Sequence, residues 1–204
     1  MQKIKIHKVG IIDYKTSNLF SISHALKKLG YKIKILNPKS NYDSYDFLVL
    51  PGVGSFKNAM QFIEKNKIDK KINLYLKKNK KNFLYGICLG MQLMFSYSEE
   101  FGKRKGLNLI KGKVQKFKGG YKTNIGWQKV KFLNMTKHFY HIHSYYCKPK
   151  NIKDEFAYTE IQNLRFCSSI KTKQLIGTQF HPEKSGKNGM MFLKSIPNIM
   201  KLNK

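Results

Sequence analysis

Cys88 lies in the heptapeptide Gly86-Ile87-Cys88-Leu89-Gly90-Met91-Gln92. An apolar run over 82–85 leads into it and a helix-like segment over 89–97 leads away. Strand, sharp turn and helix in that order describe a nucleophile elbow, with cysteine where serine hydrolases carry serine. Glycines on both sides let neighbouring backbone approach a strained turn without a Cβ clash. Unpaired N–H groups and the positive dipole end of the following helix favour thiolate. Alone, the pattern fits a buried structural cysteine equally well.

A second segment supplies what a nucleophile needs. Residues 177–185 read Gly177-Thr178-Gln179-Phe180-His181-Pro182-Glu183-Lys184-Ser185. A cysteine nucleophile needs a base, and the base needs a third group to set its tautomer and orientation. Pro182 drives His181 towards extended backbone, and in an extended chain alternate side chains share a side. His181 and Glu183 can therefore share one space, with the carboxylate holding one ring nitrogen while the other faces Cys88. The two segments together predict a Cys–His–Glu triad.

These two segments resemble the class I (triad) glutamine amidotransferases, which hydrolyse glutamine to glutamate and ammonia. The resemblance extends to the glutaminase subunits of imidazole glycerol phosphate synthases. It is carried by Asp13-Tyr14 with Asn18-Leu19, by Pro51-Gly52-Val53-Gly54-Ser55-Phe56 and by Ser98-Glu99-Glu100. Further along, Gly106–Gly112, Ile125-Gly126-Trp127, His143-Ser144-Tyr145-Tyr146 and Glu183-Lys184-Ser185-Gly186 keep the same order, from about residue 9 to 193. The resemblance implies an oxyanion hole from the Gly52 and Val53 region and a bound glutamine touched by Glu100, His143, Ser144 and Tyr145. It also implies Asn18, Trp127 and Lys184 near an interface. There a (β/α)8-barrel cyclase or synthase subunit would complete a heterodimer and consume the ammonia for histidine biosynthesis. Close paralogues pass ammonia to surface-polysaccharide or flagellar sugars, and 165–170 resembles that branch. Lys15-Thr16-Ser17 and Thr123-Asn124 depart from the usual glycine-rich and Pro-His stretches, at what reads as the partner-facing side.

From the residues themselves, the N–H of Leu89 is the first oxyanion donor, because it follows the nucleophile. The glycines of 51–54, at the end of a strand, can orient a second. Gln92, one helical turn past Cys88, shares its face and can reach a substrate. His143 in an alternating strand reads as a packed residue rather than a second base. His138, His141 and His143 have no carboxylate or cysteine in register, which argues against a metal. No cofactor is expected.

The elements that must position this chemistry alternate. A strand over 9–12 precedes an amphipathic helix with Leu19, Ile22, Ala25, Leu26 and Leu29, stopped by Gly30. Strands over 31–36 and 47–50 follow, then a helix capped by Ser55 and a lysine-rich helix near 68–80. Such alternation predicts an open, mostly parallel sheet with helices on both faces. Beyond about residue 107 come strand-like pieces over 112–117, 127–132, 139–143, 156–159, 164–170 and 174–180. A last helix carries Met191, Phe192 and Ile199, and Pro197 is expected to break it. The expectation is an α/β fold of the glutamine amidotransferase (flavodoxin-like) kind with an added antiparallel part, as one domain over 1–204.

Composition bounds the rest. Three cysteines, Cys88, Cys147 and Cys167, have no metal-type pairing and suit a reducing compartment. Cys147 and Cys167 read as half-buried strand residues. The N-terminal residues 1–8 lack an apolar signal core, and no apolar stretch is long enough to span a membrane. A cytoplasmic protein is expected. The net charge of +29 invites nucleic acid. Only Arg104 and Arg165 are arginine, however, and no aromatic-plus-basic recognition motif occurs, so the lysines read as a solvated surface. From Phe101 to Lys153 no acidic residue occurs, which leaves a basic face suited to an acidic partner or anionic substrate.

Overall fold

The structure is a computed structural model that describes residues 7–15, 18–117 and 122–201. Residues 1–6 of the N-terminal segment, and Thr16 and Ser17 of the first departure, lie outside the described residues. Strands β1 (Lys8–Ile12), β2 (Lys32–Leu36), β3 (Phe47–Leu50) and β4 (Phe83–Ile87) alternate with helices α1 (Leu19–Lys28), α2 (Phe56–Lys65), α3 (Ile68–Lys78) and α4 (Leu89–Leu93). The second half is strand-rich: β5 (Phe95–Ser98), β6 (Arg104–Lys105), β7 (Ile110–Lys116), β8 (Asn124–Phe132) and β9 (Met135–His143). It continues with β10 (Tyr145–Pro149), β11 (Glu155–Ile161), β12 (Leu164–Lys171) and β13 (Leu175–Thr178) before α5 (Gly186–Lys201).

One sheet runs through both halves in the order β2-β1-β3-β4-β13-β12-β10-β7-β5-β6. The part from β2 to β13 is parallel, as the alternation predicts. From β12 outward the pairing is antiparallel, except between β5 and β7. Strands β11, β8 and β9 branch from β12 and form the long β8–β9 hairpin. The observed class is thus the expected one.

Because β3 and β4 are covered on both faces, they are apolar almost throughout and fully buried. Their side chains alternate between two cores. Helices α2 and α3 close one with Phe56, Met60, Ile63, Ile72 and Tyr75. Helices α1 and α5 close the other with Ile22, Leu26, Phe192, Leu193 and Ile196. Cys147 and Cys167 are more deeply placed than expected, fully buried opposite each other on β10 and β12.

Three local expectations are corrected. The helix expected over 89–97 ends at Leu93. The Met94 carbonyl accepts the N–H groups of both Leu109 and Ile110, and the chain turns into β5 beside β7. Pro197 does not break α5, which runs through it. Proline removes the N–H that would bond the Leu193 carbonyl, and the Tyr31 hydroxyl donates to that oxygen instead, at 3.3 Å. The tripeptide His181–Glu183 is extended only at His181 (φ −99°, ψ 94°), while Pro182–Lys184 forms one turn of 3₁₀ helix.

Phe180, fully buried, ties the antiparallel part to α5. Its ring stacks on Phe139 of β9 at 4.1 Å and meets Phe192 edge-on at 5.5 Å. Phe180→Ala should lower stability by about 3–5 kcal/mol, read as a shift in the urea unfolding midpoint. A loss below about 1 kcal/mol would mean that this cluster does not hold the two parts together.

Candidate active site

Cys88 stands between β4 and α4 with φ +51° and ψ −107°, a backbone state a side chain rarely adopts. Two features hold it there. Its N–H donates to the Thr178 carbonyl at 2.7 Å, which fixes the turn to β13. A Cβ on Gly90 would collide with the Leu50 carbonyl oxygen, so only glycine lets the first turn of α4 press against the end of β3. Helix α4 has five residues, too few for a large macrodipole, so the expected dipole contribution to the thiol is small. The first N–H groups of such a helix, Leu89's among them, have no intrahelical acceptor.

His181 and Glu183 meet as the spacing predicts, although through the 3₁₀ turn. Nδ1 of His181 lies 2.7 Å from Oε1 of Glu183, and both side chains are buried. Nε2 makes no hydrogen bond of good geometry among the described residues, nor does Oε2 of Glu183. The second carboxylate oxygen therefore leaves its charge directed at the imidazole. Burial works against a charged His181. The charge of Cys88 and the Glu183 carboxylate outweigh it and push the imidazole up to about 10. The loop is pinned from behind: His181 N–H donates to the Tyr140 carbonyl, and Ser185 Oγ donates to the His181 carbonyl while accepting from Tyr140 N–H.

The segment expected to carry the second oxyanion donor is tethered at both ends. The Tyr14 hydroxyl donates to the Pro51 carbonyl. A Cβ on Gly52 would collide with that hydroxyl and come within 2.8 Å of Leu89 Cβ. At the other end, Glu100 accepts the Phe56 N–H at 2.8 Å, and burial raises its carboxyl above the usual range despite that bond. Between the tethers, Val53 is partly exposed and Gly54 has φ +103° with open space around it.

The residues expected at the bound amino acid form a buried polar layer. Gln92 donates to the Tyr145 carbonyl (3.0 Å) and to Gln179 Oε1 (3.1 Å). His143 Nδ1 bonds the same Tyr145 carbonyl at 2.8 Å, and burial, with the nearby His141, holds it far below the usual histidine range. Buried in this way, His143 is held neutral. Ser144 Oγ bonds Thr123 Oγ1 at 2.9 Å. Of the second departure, Thr123 is exposed while Asn124 is fully buried against His143 at 3.0 Å. No cluster of metal-ligating side chains occurs among the described residues.

Gln179 escaped the sequence reading. Its Nε2 donates to Cys88 Sγ at 3.6 Å. The only signal for it was its place two residues before His181.

Asn18 caps α1 through Ser21 N–H, Lys184 is exposed on the 3₁₀ turn, and α1 packs on that turn. Trp127, half-exposed, meets Tyr140 edge-on at 6.3 Å and lies 4.0 Å from the position of a Cβ on Gly186. Trp127 therefore does not fill the core.

A strained cysteine elbow stands at the end of the parallel strands of an α/β sheet, beside a buried His–Glu pair. Residues 10–196 match the glutamine amidotransferase class-I family model. The chain belongs to that family and is a glutamine amidotransferase. It is 36% identical over 198 residues to the imidazole glycerol phosphate synthase subunit HisH of Chlorobaculum tepidum, covering 92% of this chain and 98% of that one. It is 39% identical over 206 residues to HisH 1 of Methanococcus maripaludis, covering 95% and 99%. In fold it resembles a chain in the structure of PurLQS from Thermotoga maritima, with TM-score 0.77, 16% identity, and 96% and 100% covered. No helix among the described residues is long and apolar enough to cross a membrane.

The electrostatics make a direct prediction. In Glu183→Gln the carboxylate that raises His181 is gone, so the imidazole should titrate well below about 10, followed by the ring-proton NMR shift. An unchanged midpoint would mean that Glu183 does not hold the charge.

Proposed function

We propose that this protein is the glutaminase subunit of an imidazole glycerol phosphate synthase. It hydrolyses L-glutamine through Cys88, His181 and Glu183 and delivers ammonia to a cyclase partner in histidine biosynthesis. The observation that carries this reading is the 2.7 Å His181–Glu183 bond on an imidazole that the adjacent Cys88 also raises. Near-complete coverage of HisH relatives at 36–39% identity supports the choice of pathway.

In this mechanism Cys88 attacks the side-chain amide carbon and His181 takes the thiol proton. His181 then gives that proton to the leaving ammonia and activates the water that releases glutamate. Glu183 orients the ring and stabilises its cation. Leu89 N–H and a peptide of the Gly52–Val53 region bind the oxyanion; such a donor is worth about 3–4 kcal/mol. Gln92, Glu100, His143, Ser144 and Tyr145 shape the cradle for the amino-acid end, His143 by ordering the Tyr145 carbonyl. No cofactor or metal takes part.

The chain acts as one domain, 1–204, in the cytoplasm, paired in a heterodimer with a (β/α)8-barrel subunit. Trp127, Asn18 and Lys184 face that partner, and an exposed tryptophan is a typical hot-spot residue. Segment 165–170, which resembles the sugar-pathway branch, belongs to a strand whose residues 166–170 are buried. It gives no support to a different acceptor.

Glutamate release from glutamine, assayed alone and with a histidine-pathway cyclase, tests the reading, with Cys88→Ala as blank. Strong stimulation by the cyclase is expected. Stimulation only by a sugar-pathway synthase would reassign the acceptor, and no glutamate in any assay would overturn the proposal. The alkaline limb of kcat/KM should fall near pH 10, where His181 loses its proton. In Glu183→Gln that limb should move to lower pH, because the carboxylate that raises the imidazole is removed.

A further inference from the structure

A run of buried amides leads from β8 to the nucleophile, and its direction is forced. The Tyr145 carbonyl can only accept, and two groups meet it. On one side Gln92 must present Nε2 to it, and the same Nε2 then faces Gln179, whose near atom must be Oε1. Gln179 is thereby left with Nε2 towards Cys88 Sγ, at 3.6 Å. On the other side His143 must donate from Nδ1, at 2.8 Å. Being neutral, it accepts at Nε2 from Asn124 Nδ2, at 3.0 Å. Asn124 Oδ1 in turn accepts from Gln128 Nε2, at 2.9 Å. Amide orientation, usually settled only by its hydrogen-bond network, has one solution at each of these residues.

We infer that Gln179 is a further catalytic residue: its side-chain N–H donates to the Cys88 sulfur and stabilises the thiolate, held in that orientation by Gln92 and the Tyr145 carbonyl. The inference rests on Cys88 being the nucleophile. Gln179 is fully buried and Gln92 and Cys88 nearly so, and a donor aimed at sulfur in a buried site acts with little screening. It favours the charged form, since a hydrogen bond to the ionised partner is the stronger one. One contact favours the thiol: Sγ donates to the Ile142 carbonyl at 3.8 Å, a longer contact. The other titratable groups around the sulfur are His181 with Glu183 behind it, and the Cys147 thiol on β10, which burial pushes up. His141 and His143 on β9 are lowered by burial and, in smaller part, by the charge of His181.

The test is alkylation of Cys88 by iodoacetamide, followed against pH in the full chain. Gln179→Met keeps the length of the side chain and cannot donate. It should slow alkylation at neutral pH about tenfold, the loss expected for one hydrogen bond to a charged group. It should also move the alkylation midpoint to higher pH and lower kcat more than it changes KM. A folded Gln179→Met with the wild-type rate and midpoint overturns the inference. A measurement on unmodified protein guards against misfolding of the variant. The Gln179 side-chain amide resonances should move with the Cys88 alkylation midpoint and lose that pH response in Cys88→Ala. Resonances indifferent to Cys88 overturn it equally. A wild-type protein that shows the alkylation behaviour yet releases no glutamate in any assay would sink the proposed function, and with it the catalytic role of Gln179, and leave only its hydrogen bond to the Cys88 sulfur standing.

Discussion

The backbone of Cys88 is the constraint on which the rest of the site depends. A non-glycine residue at φ +51° and ψ −107° is strained, a state that costs about 1–3 kcal/mol and persists only where its surroundings over-determine it. Here they do so from three sides: β4 delivers the residue, the Thr178 carbonyl holds its N–H, and Gly90 lets α4 lie against Leu50. The result is a sulfur at the open end of the parallel strands, where ligands of α/β sheets usually bind. Relaxing this turn would separate the sulfur from both His181 and Gln179.

Around that point the protein pairs buried charge with buried neutrality. His181 and Glu183 are kept close and otherwise poorly bonded, which leaves the carboxylate to act on the imidazole alone. On β9, His141 and His143 are desolvated enough to stay uncharged, with His141 pushed down to about 4. That His181 alone of the three is raised follows from where the Cys88 sulfur and the Glu183 carboxylate sit. In physical terms, burial alone lowers a histidine, and burial beside the negative charges of Cys88 and Glu183 raises it.

The two halves of the sheet divide the work. The parallel half supplies strand ends and the two apolar cores that hold them. The antiparallel half brings His143 and Tyr145 across on β9 and β10, while Gln179 follows the end of β13, and together they surround the sulfur with amides and carbonyls. The lysine-rich surface takes little part in this. Lys113 and Lys131 pair with Glu99 and Glu160 at the surface, where an ion pair contributes little to stability.

Read alone, the sequence determined the class of fold, the nucleophile elbow and the His–Glu pairing, because each depends on residues close along the chain. Ser55 as a cap, the α1 stripe and the apolar β3 and β4 are local in the same way. What only the tertiary structure decided involves partners far apart in sequence. Pro197 stays helical because Tyr31 reaches the Leu193 carbonyl. The segment after α4 becomes a strand because β7 is there to pair with it. Asn124 turns inward because His143 offers it a nitrogen, and Gln179 finds the sulfur only once β13 is laid against β4. Periodicity and spacing report which face a residue takes, whereas a buried polar group is directed by whichever donor or acceptor the folded chain puts within reach.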